Sequence, residues 1–450
     1  MLGLMSTVVT KSSPVVVGPA TSPATPTVEH IKLSSFDKAL AFSPFTSFLV
    51  FDHVIHEPAE TVRSALSRAL VHYFPVAGRA VVGADDGELR ISCTGEGVLF
   101  VSASVHCSLE DVKLFDPPFS ELLRELAVVY PEESCRQSDP LLLVQVTEFS
   151  CGGYVVGTTW NHALADGTGM AQFLQAVGDL ARGLPQPSVL PVSCGDDSLP
   201  ELPPLVTFIE KMMVTLQPQG LVYQDITVPW KLVDRIRSEF AAAGHRDDEP
   251  CTVYEAVVAV LWQCRTRVVM SDTDAPAPLV FAANVRKHVG ARDGYFGNCV
   301  TSAVTVPRSG EVANGDIKDV VKLIKRAKQG IPGQFIKNDD NVANGEEGGG
   351  LHRQADYYSA PTETMIEQLA DVLFGYNAFY VSSWRNLGFD AADMGGGTPA
   401  RVMCHVELTA VPNCVACVPC GGKDGANVLA LCVREEHVDA FVGALQNFVM

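Results

Sequence analysis

His162 and Asp166 stand in the segment Asn161-His-Ala-Leu-Ala-Asp-Gly167, where three residues separate the imidazole from the carboxylate. A neutral imidazole titrates near working pH, so it can take a proton from an attacking nucleophile and return it later. That is general base chemistry, typically worth ~10²–10⁴-fold in rate. Asp166 can orient the ring or fix the loop. The same spacing also fits a plainer arrangement, with Asp166 capping the helix that follows and His162 an ordinary core or surface histidine. Taken alone, the His-x-x-x-Asp pattern does not choose between these.

Other reactive patterns fall away on spacing. Cys414, Cys417 and Cys420 are placed like metal ligands, but their Val, Ala and Pro neighbours read as a buried strand. A structural zinc needs four ligands and no second pair lies at a suitable distance, so no metal is expected. Gly167-Thr-Gly169 departs from the dinucleotide fingerprint after its second glycine. There is no Gly-x-Ser-x-Gly nucleophile elbow and no phosphate loop ending in Gly-Lys-Ser or Gly-Lys-Thr.

The elements around the histidine are legible from periodicity. Apolar runs at 141–149 and 154–160, joined by Cys151-Gly-Gly153, read as two strands. After Gly167, Met170, Phe173, Leu174, Val177, Leu180 and Ala181 recur at helical spacing. The motif therefore sits where a strand ends and a helix begins, a connection with rigid elements on both sides. A helix is predicted over 58–72, with Pro58 in its first turn and Val62, Ala65, Leu66, Ala69 and Leu70 on one face. Further helical spacing appears at Val253–Leu261, Ile317–Ile324 and 436–449. Residues 1–28 read as a loose arm, 338–350 as an acidic, Gly-rich surface loop, and the Pro-rich stretch after residue 184 as a linker. The expected division is a first domain over 1–185, a linker over 186–215 and a second domain over 216–450. Alternating strands and helices in both halves indicate an α/β or α+β protein.

A second signal lies far from the first. Asp393-Met-Gly-Gly-Gly397 follows Ser382-Ser-Trp384. Together with Leu33-Ser-Ser-Phe-Asp37, Tyr73-Phe-Pro-Val-Ala-Gly-Arg79, Thr252-Val-Tyr-Glu-Ala256 with Trp262, Tyr295-Phe-Gly-Asn298 and the His162 motif, this order of segments resembles the BAHD acyltransferases of plants. The resemblance covers nearly the whole chain. It departs at the second motif, which in that family reads Asp-Phe-Gly-Trp-Gly: Met394 stands for the Phe and Gly396 for the Trp. The altered motif puts local packing and the cofactor-side channel in question.

The resemblance implies two similar chloramphenicol-acetyltransferase-like domains with mixed sheets and an interdomain solvent tunnel. It implies that His162 is the catalytic base and that Asp166 points away from substrate and pairs with Arg286. Ser382 and Trp384 match the region whose donors face the oxyanion, and Asp393, Gly395 and Gly397 match a structural motif. Acyl-CoA enters as a co-substrate, with no further cofactor, and the residues that bind it are not evident. The implied acceptors are small-molecule amines or alcohols, and the implied state is a monomer. Aromatic donors of the hydroxycinnamoyl or benzoyl type are expected, with acetyl- or malonyl-CoA as alternatives. A condensation-type relative would carry a second histidine before the base, where this chain has Asn161. A catalytically silent binding homologue is the remaining alternative, and intact His162 and Asp166 oppose it.

Composition narrows the partners. The chain has 450 residues, 47% of them hydrophobic and 19% charged, enough for more than one core. A net charge of −19 argues against nucleic acid or anionic membrane as a main partner. No apolar run reaches the length of a membrane span. No secretory signal is expected from the first 30 residues, and the 13 scattered cysteines do not look like a disulfide framework. The expected compartment is the cytoplasm.

Overall fold

A computed structural model describes residues 8–21, 29–116, 119–131, 134–192, 199–213, 216–217, 219–243, 249–335, 363–404, 410–418 and 420–449. The 338–350 loop expected from composition lies outside the described residues. The chain divides into two compact units. The first comprises Met1–Leu199 with Ala291–Cys299 and Trp384–His405; the second comprises Pro200–Gly290, Val300–Ser383 and Val406–Met450. The first crossing falls between Leu199 and Pro200, and two later segments return to the first unit.

Among the described residues, the first unit is built on a seven-stranded mixed sheet. Its order is Val9–Lys11, Val98–Val105, Leu142–Phe149, Tyr154–Asn161, Pro44–Phe51 and Arg401–Cys404, with Val15–Val17 also paired to Val98–Val105. The N-terminal arm is thus not loose over its described part. Two short Val-rich runs, separated by Ser-Ser-Pro, add antiparallel to Val98–Val105 and satisfy backbone groups that an open edge would leave unpaired. The predicted strand pair near the histidine is the antiparallel hairpin Leu142–Phe149 and Tyr154–Asn161. Gly152 makes its turn with φ +84°, a conformation glycine adopts without a Cβ penalty.

Helix Pro58–His72 forms as expected, burying Val62, Ala65, Leu66, Ala69 and Leu70. Helix Gly167–Ala181 follows the histidine motif and buries Met170, Phe173, Leu174, Val177 and Leu180. Two of its glycines seat the returning segments. A Cβ on Gly169 would lie 1.8 Å from the Phe296 carbonyl oxygen, and one on Gly178 would lie 2.5 Å from that of Asp393. Backbone can approach this closely only where no side chain intervenes. The helix therefore carries Ala291–Cys299 near its start and the Asp393 turn near its end.

Among the described residues, the second unit holds a six-stranded mixed sheet in the order Leu221–Pro229, Gly425–Arg434, Asn413–Ala416, Phe379–Ser383, Leu279–Asn284 and Val300–Thr305. Helix Val253–Val269 begins with a capping box, in which Thr252 Oγ1 accepts from the Glu255 N–H and the Glu255 carboxylate accepts from the Thr252 N–H. Helices Ile317–Gln329 and Val438–Val449 match the expected periodic stretches. Cys414 lies in strand Asn413–Ala416 and is buried, as its apolar neighbours suggested.

Candidate functional site

The segment 161–166 is clasped on all sides. Asn161 Oδ1 accepts from the N–H groups of Phe42 and Ala163, both at 3.0 Å. The His162 N–H donates to the Ser43 carbonyl, and the Trp160 indole N–H donates to the Ala165 carbonyl. Asp166 is the N-cap of helix Gly167–Ala181: its Oδ1 accepts from the Gly169 N–H at 2.9 Å, while Oδ2 accepts from the Cys299 N–H at 2.9 Å. One buried carboxylate therefore starts the helix and binds the returning 291–299 segment to the histidine loop. The capping arrangement and the loop-fixing arrangement are the same arrangement.

That segment delivers a residue with an effect on the ring. His162 Nδ1 lies 3.0 Å from Oδ1 of Asn298. The Asn298 amide is held in one orientation, because its Nδ2 donates to Asp37 Oδ1 and to the His162 carbonyl, each at 2.8 Å. Both are acceptors only, so the NH₂ group must face them and the amide oxygen must face the imidazole. Nδ1 then carries the proton and Nε2 keeps the free lone pair. Asp37 is itself fixed: Asn298 N donates to its Oδ1, and Ser34 donates to its Oδ2 from both N and Oγ. Burial pushes the Asp37 carboxyl up, against the pull of these bonds from Ser34 and Asn298.

Burial lowers the His162 pKa below its ordinary value, with the charge of Asp166 and the Asn298 bond working the other way. The ring is therefore neutral at pH 7, the state a general base requires. Phe45 packs edge-on against it, with ring centroids 5.5 Å apart, and Trp384 lies 5.8 Å beyond Phe45. Trp384 is buried and stacks on Phe389 at 4.8 Å. These aromatic neighbours make the ring's surroundings apolar, which strengthens any charge interaction formed there.

The Asp393 turn sits elsewhere. Segment 387–393 runs along helix Gly167–Ala181: Leu387 lies over Gly167, the Gly388 carbonyl accepts from Gln175, and Arg182 donates to the Asp393 carbonyl. Gly178 is 12 residues past Asp166, which at 1.5 Å per residue places the turn roughly 18 Å along the helix axis from the histidine end. Asp393 Oδ1 accepts from the N–H groups of Gly395 and Gly397 at 2.8 and 2.9 Å. Both glycines have positive φ, +118° and +136°. Burial raises the Asp393 carboxyl, but these bonds and the charges of Arg182 and His53 outweigh it and hold the pKa below the usual range. Met394 is fully buried. At Gly396 the space is already taken: an added Cβ would lie 2.3 Å from His53 Cδ2 and 2.8 Å from Ile55 Cγ2. The imidazole of His53 occupies the position from which a side chain at 396 would have to grow.

Of the other residues singled out from the sequence, Ser382 and Arg286 belong to the second unit. Ser382 lies half-buried in strand Phe379–Ser383, in register with Val415. Arg286 opens the short helix Arg286–Val289. Asn298 and Asp37 end two of the sequence segments named above, and nothing in their spacing assigns them a role. Their function emerges only from the fold.

The chain matches the family model described as "Transferase family" over residues 7–447. It is 44% identical to Acyl transferase 15 of Oryza sativa subsp. japonica, over 97% of this chain and 98% of that protein. It belongs to the plant BAHD acyltransferase family. A further BAHD relative, 30% identical over 99% of this chain and 100% of the other, is the myricetin 3-O-glucosyl 1,2-rhamnoside 6'-O-caffeoyltransferase AT1 of Crocosmia x crocosmiiflora. Another is the 3'-N-debenzoyl-2'-deoxytaxol N-benzoyltransferase of Taxus canadensis, 30% identical over 88% of this chain and 84% of that one. The fold is that of vinorine synthase, with TM-score 0.67 at 18% identity over 98% of both chains. It is shared by F. sporotrichioides TRI101, solved with coenzyme A and T-2, with TM-score 0.67 at 16% identity over 92% of this chain and 97% of that one. This BAHD protein is an acyl-CoA-dependent acyltransferase of mixed α/β architecture. Among its described residues, no helix is long and apolar enough to cross a membrane.

Proposed function

We propose that this acyltransferase moves an aromatic acyl group, of the hydroxycinnamoyl or benzoyl type, from coenzyme A to a small amine or alcohol, with His162 Nε2 as the general base. The observation that carries the assignment is the bond between His162 Nδ1 and an Asn298 amide that Asp37 keeps from turning. It reserves Nε2 for the substrate and selects the tautomer before any ligand arrives.

In the proposed step the acceptor's O–H or N–H proton passes to Nε2 as its oxygen or nitrogen bonds to the thioester carbonyl carbon. The carbonyl π electrons move onto oxygen, which donors near Ser382 and Trp384 stabilise. One such donor is commonly worth ~3 kcal/mol. The intermediate collapses, the C–S bond breaks, and the proton returns from Nε2 to sulfur. Acyl product and free coenzyme A leave, and His162 is neutral again. A thioester is electrophilic enough that no acyl-enzyme is required. Asp166 acts through the loop it fastens, and Asp393, Gly395 and Gly397 support the fold.

The relatives named as a caffeoyl and a benzoyl transferase support an aromatic donor, and between them they acylate oxygen and nitrogen. An amine acceptor is at least as strong a candidate as an alcohol, since an apolar site favours the neutral amine that attack requires. The test is a matrix of acyl-CoA donors against amine and alcohol acceptors, read by thiol release and by product mass. Folded His162→Ala is expected to lose ~10²–10⁴-fold in turnover. Near-native turnover in that variant would end the assignment, and products formed only from acetyl- or malonyl-CoA would end the aromatic donor.

A further inference from the structure

The segment that brings Asn298 to His162 meets helix Gly167–Ala181 at three heights, all within the first unit. At the N-cap, Asp166 Oδ2 accepts from the Cys299 N–H at 2.9 Å. At Gly169 the Phe296 carbonyl lies against the helix backbone, where a Cβ would otherwise stand. At Gln172, which the chemistry above does not use, Nε2 donates to the Gly294 carbonyl at 3.0 Å and to the Tyr73 hydroxyl oxygen at 3.1 Å. Asp166, Gly169 and Gln172 follow one another at intervals of three residues, about 4.5 Å of rise each. Residues three apart are neighbours on a helix surface. The segment therefore runs down one stripe of the helix, with 299 at 166, 296 at 169 and 294 at 172.

The three contacts differ in kind. Phe296 resting on Gly169 is a steric stop: it prevents closer approach but does not prevent tipping or lifting. Hydrogen bonds at the two ends resist those movements. The near end is held by Asp166 and by Asp37, which accepts from the Asn298 N–H and from its Nδ2. The far end is held at the Gly294 carbonyl, which accepts from Gln172 and, at 2.8 Å, from the Val192 N–H. The stretch bearing Val192 ties to the helix four residues earlier, where the Ser188 N–H donates to Asp179 Oδ2 at 2.7 Å. Gln172 is the direct tie. A carbonyl can only accept, so the Gln172 NH₂ group must face it. Tyr73 packs edge-on against both Phe296 and Phe173, with ring centroids 5.1 Å apart in each pair, and so frames the amide.

We propose that Gln172 is a positioning residue for the base: by seating the Gly294 carbonyl on the helix, it sets how closely Asn298 Oδ1 meets His162 Nδ1. The inference rests on the reading of His162 as the base. Gln172 bonds to Tyr73 and Gly294, so its effect reaches the ring through Asn298.

The test is a double-mutant cycle of Gln172→Met and Asn298→Ala in the full-length protein, with the donor–acceptor pair that turns over fastest in the acyl-CoA matrix. It is read by kcat, KM for the acyl-CoA, the acid midpoint of kcat and a thermal melt. Met keeps the length and helix propensity of Gln and removes the donor. In Gln172→Met, kcat is expected to fall ~10-fold or more, within the ~10²-fold that a displacement of about 1 Å can cost, with KM little changed. The Asn298 bond raises the His162 pKa, so the acid midpoint should move down, as it should in Asn298→Ala. In the double variant kcat should fall no further than in Asn298→Ala alone, because the two residues act as one unit. Should Gln172→Met fold poorly, Gln172→Glu takes its place in the cycle: it still accepts from the Tyr73 hydroxyl but sets a carboxylate against the Gly294 carbonyl, and the same results are expected. Native kcat and midpoint in the Gln172 variant overturn the inference and leave His162 as the base. So do losses that multiply in the double variant. Native turnover of Asn298→Ala overturns the inference together with the tautomer assignment, and native turnover of His162→Ala ends the base itself.

Discussion

Asn298 Oδ1 approaches His162 Nδ1 to 3.0 Å across 136 residues of sequence. The amide does for this histidine what a buried carboxylate does in many hydrolases: it sets the tautomer and the ring orientation. It does so without placing a formal charge next to the ring. The charge sits one bond further away, on Asp37.

If the relay selects the tautomer, breaking it should affect turnover more than binding. Asp37→Ala removes one of the two acceptors that orient the Asn298 amide and leaves only the His162 carbonyl, so the acceptor facing Nδ1 is held less firmly. Turnover is expected to fall on the order of 10²-fold, within what general base catalysis contributes. KM for the acyl-CoA should change little. Asn298→Ala should lose a similar factor and also ~1–3 kcal/mol of stability, because it leaves the buried Asp37 carboxylate short of donors. Steady-state kinetics with a thermal melt separates the two. A change in KM alone would refute the tautomer role.

The pH dependence follows from the direction of the His162 shift. Burial lowers its pKa, so the ring is neutral, and competent as a base, above a midpoint that lies below the ordinary histidine value. Turnover should be level at neutral pH and decline on acidification, with its midpoint under ~6.5. The same shift makes the unfolded chain bind a proton before the native one does. The contribution of His162 to stability is therefore present above ~6.5 and is lost as pH falls from there through the native pKa. A turnover midpoint above ~6.5 would contradict the buried, neutral ring.

The altered second motif is compensated locally. Gly396→Trp, which writes the usual family residue into this chain, drives a side chain into His53 and Ile55. Overpacking of this kind costs roughly 1–3 kcal/mol, a visible fall in Tm. Combining Gly396→Trp with His53→Ala should recover part of that loss, because the second change clears the space the indole needs. Equal stability of Gly396→Trp and the wild type would show that His53 moves freely aside.

Gly169 carries the junction between the helix and the 291–299 segment. Gly169→Ala adds a carbon where the Phe296 carbonyl already stands, 1.8 Å from the ideal Cβ position. Both groups belong to backbone, so neither can swing away. The variant should lose stability by roughly 1–3 kcal/mol or more and should lower turnover, because Asn298 is displaced with Phe296. Gly183→Ala is the control for a glycine with open space around it, although its φ of +88° carries a strain of its own. A Gly169→Ala protein with native Tm and native turnover would show that the junction yields without moving Asn298.

Much of this was legible in the linear chain. The hairpin before His162, the helix after Gly167 and the helix at Pro58–His72 follow from apolar spacing, because each must bury one face. The choice of His162 as the group able to move a proton follows from its chemistry and its motif. Periodicity could not show that Val9–Lys11 and Val15–Val17 join a sheet, since three-residue runs are too short to carry a period. It could not show that residues 291–299 and 384–405 return to the first unit. Nor could it show that Asp166 binds two backbone N–H groups 130 residues apart in sequence, Gly169 and Cys299 (169 to 299). The tautomer of His162 was decided by Asn298 and Asp37, and the vacancy at Gly396 was filled by His53. These depend on which distant surfaces meet. Sequence spacing encodes what each segment must bury, whereas the partner it buries against is set by close packing of the whole unit.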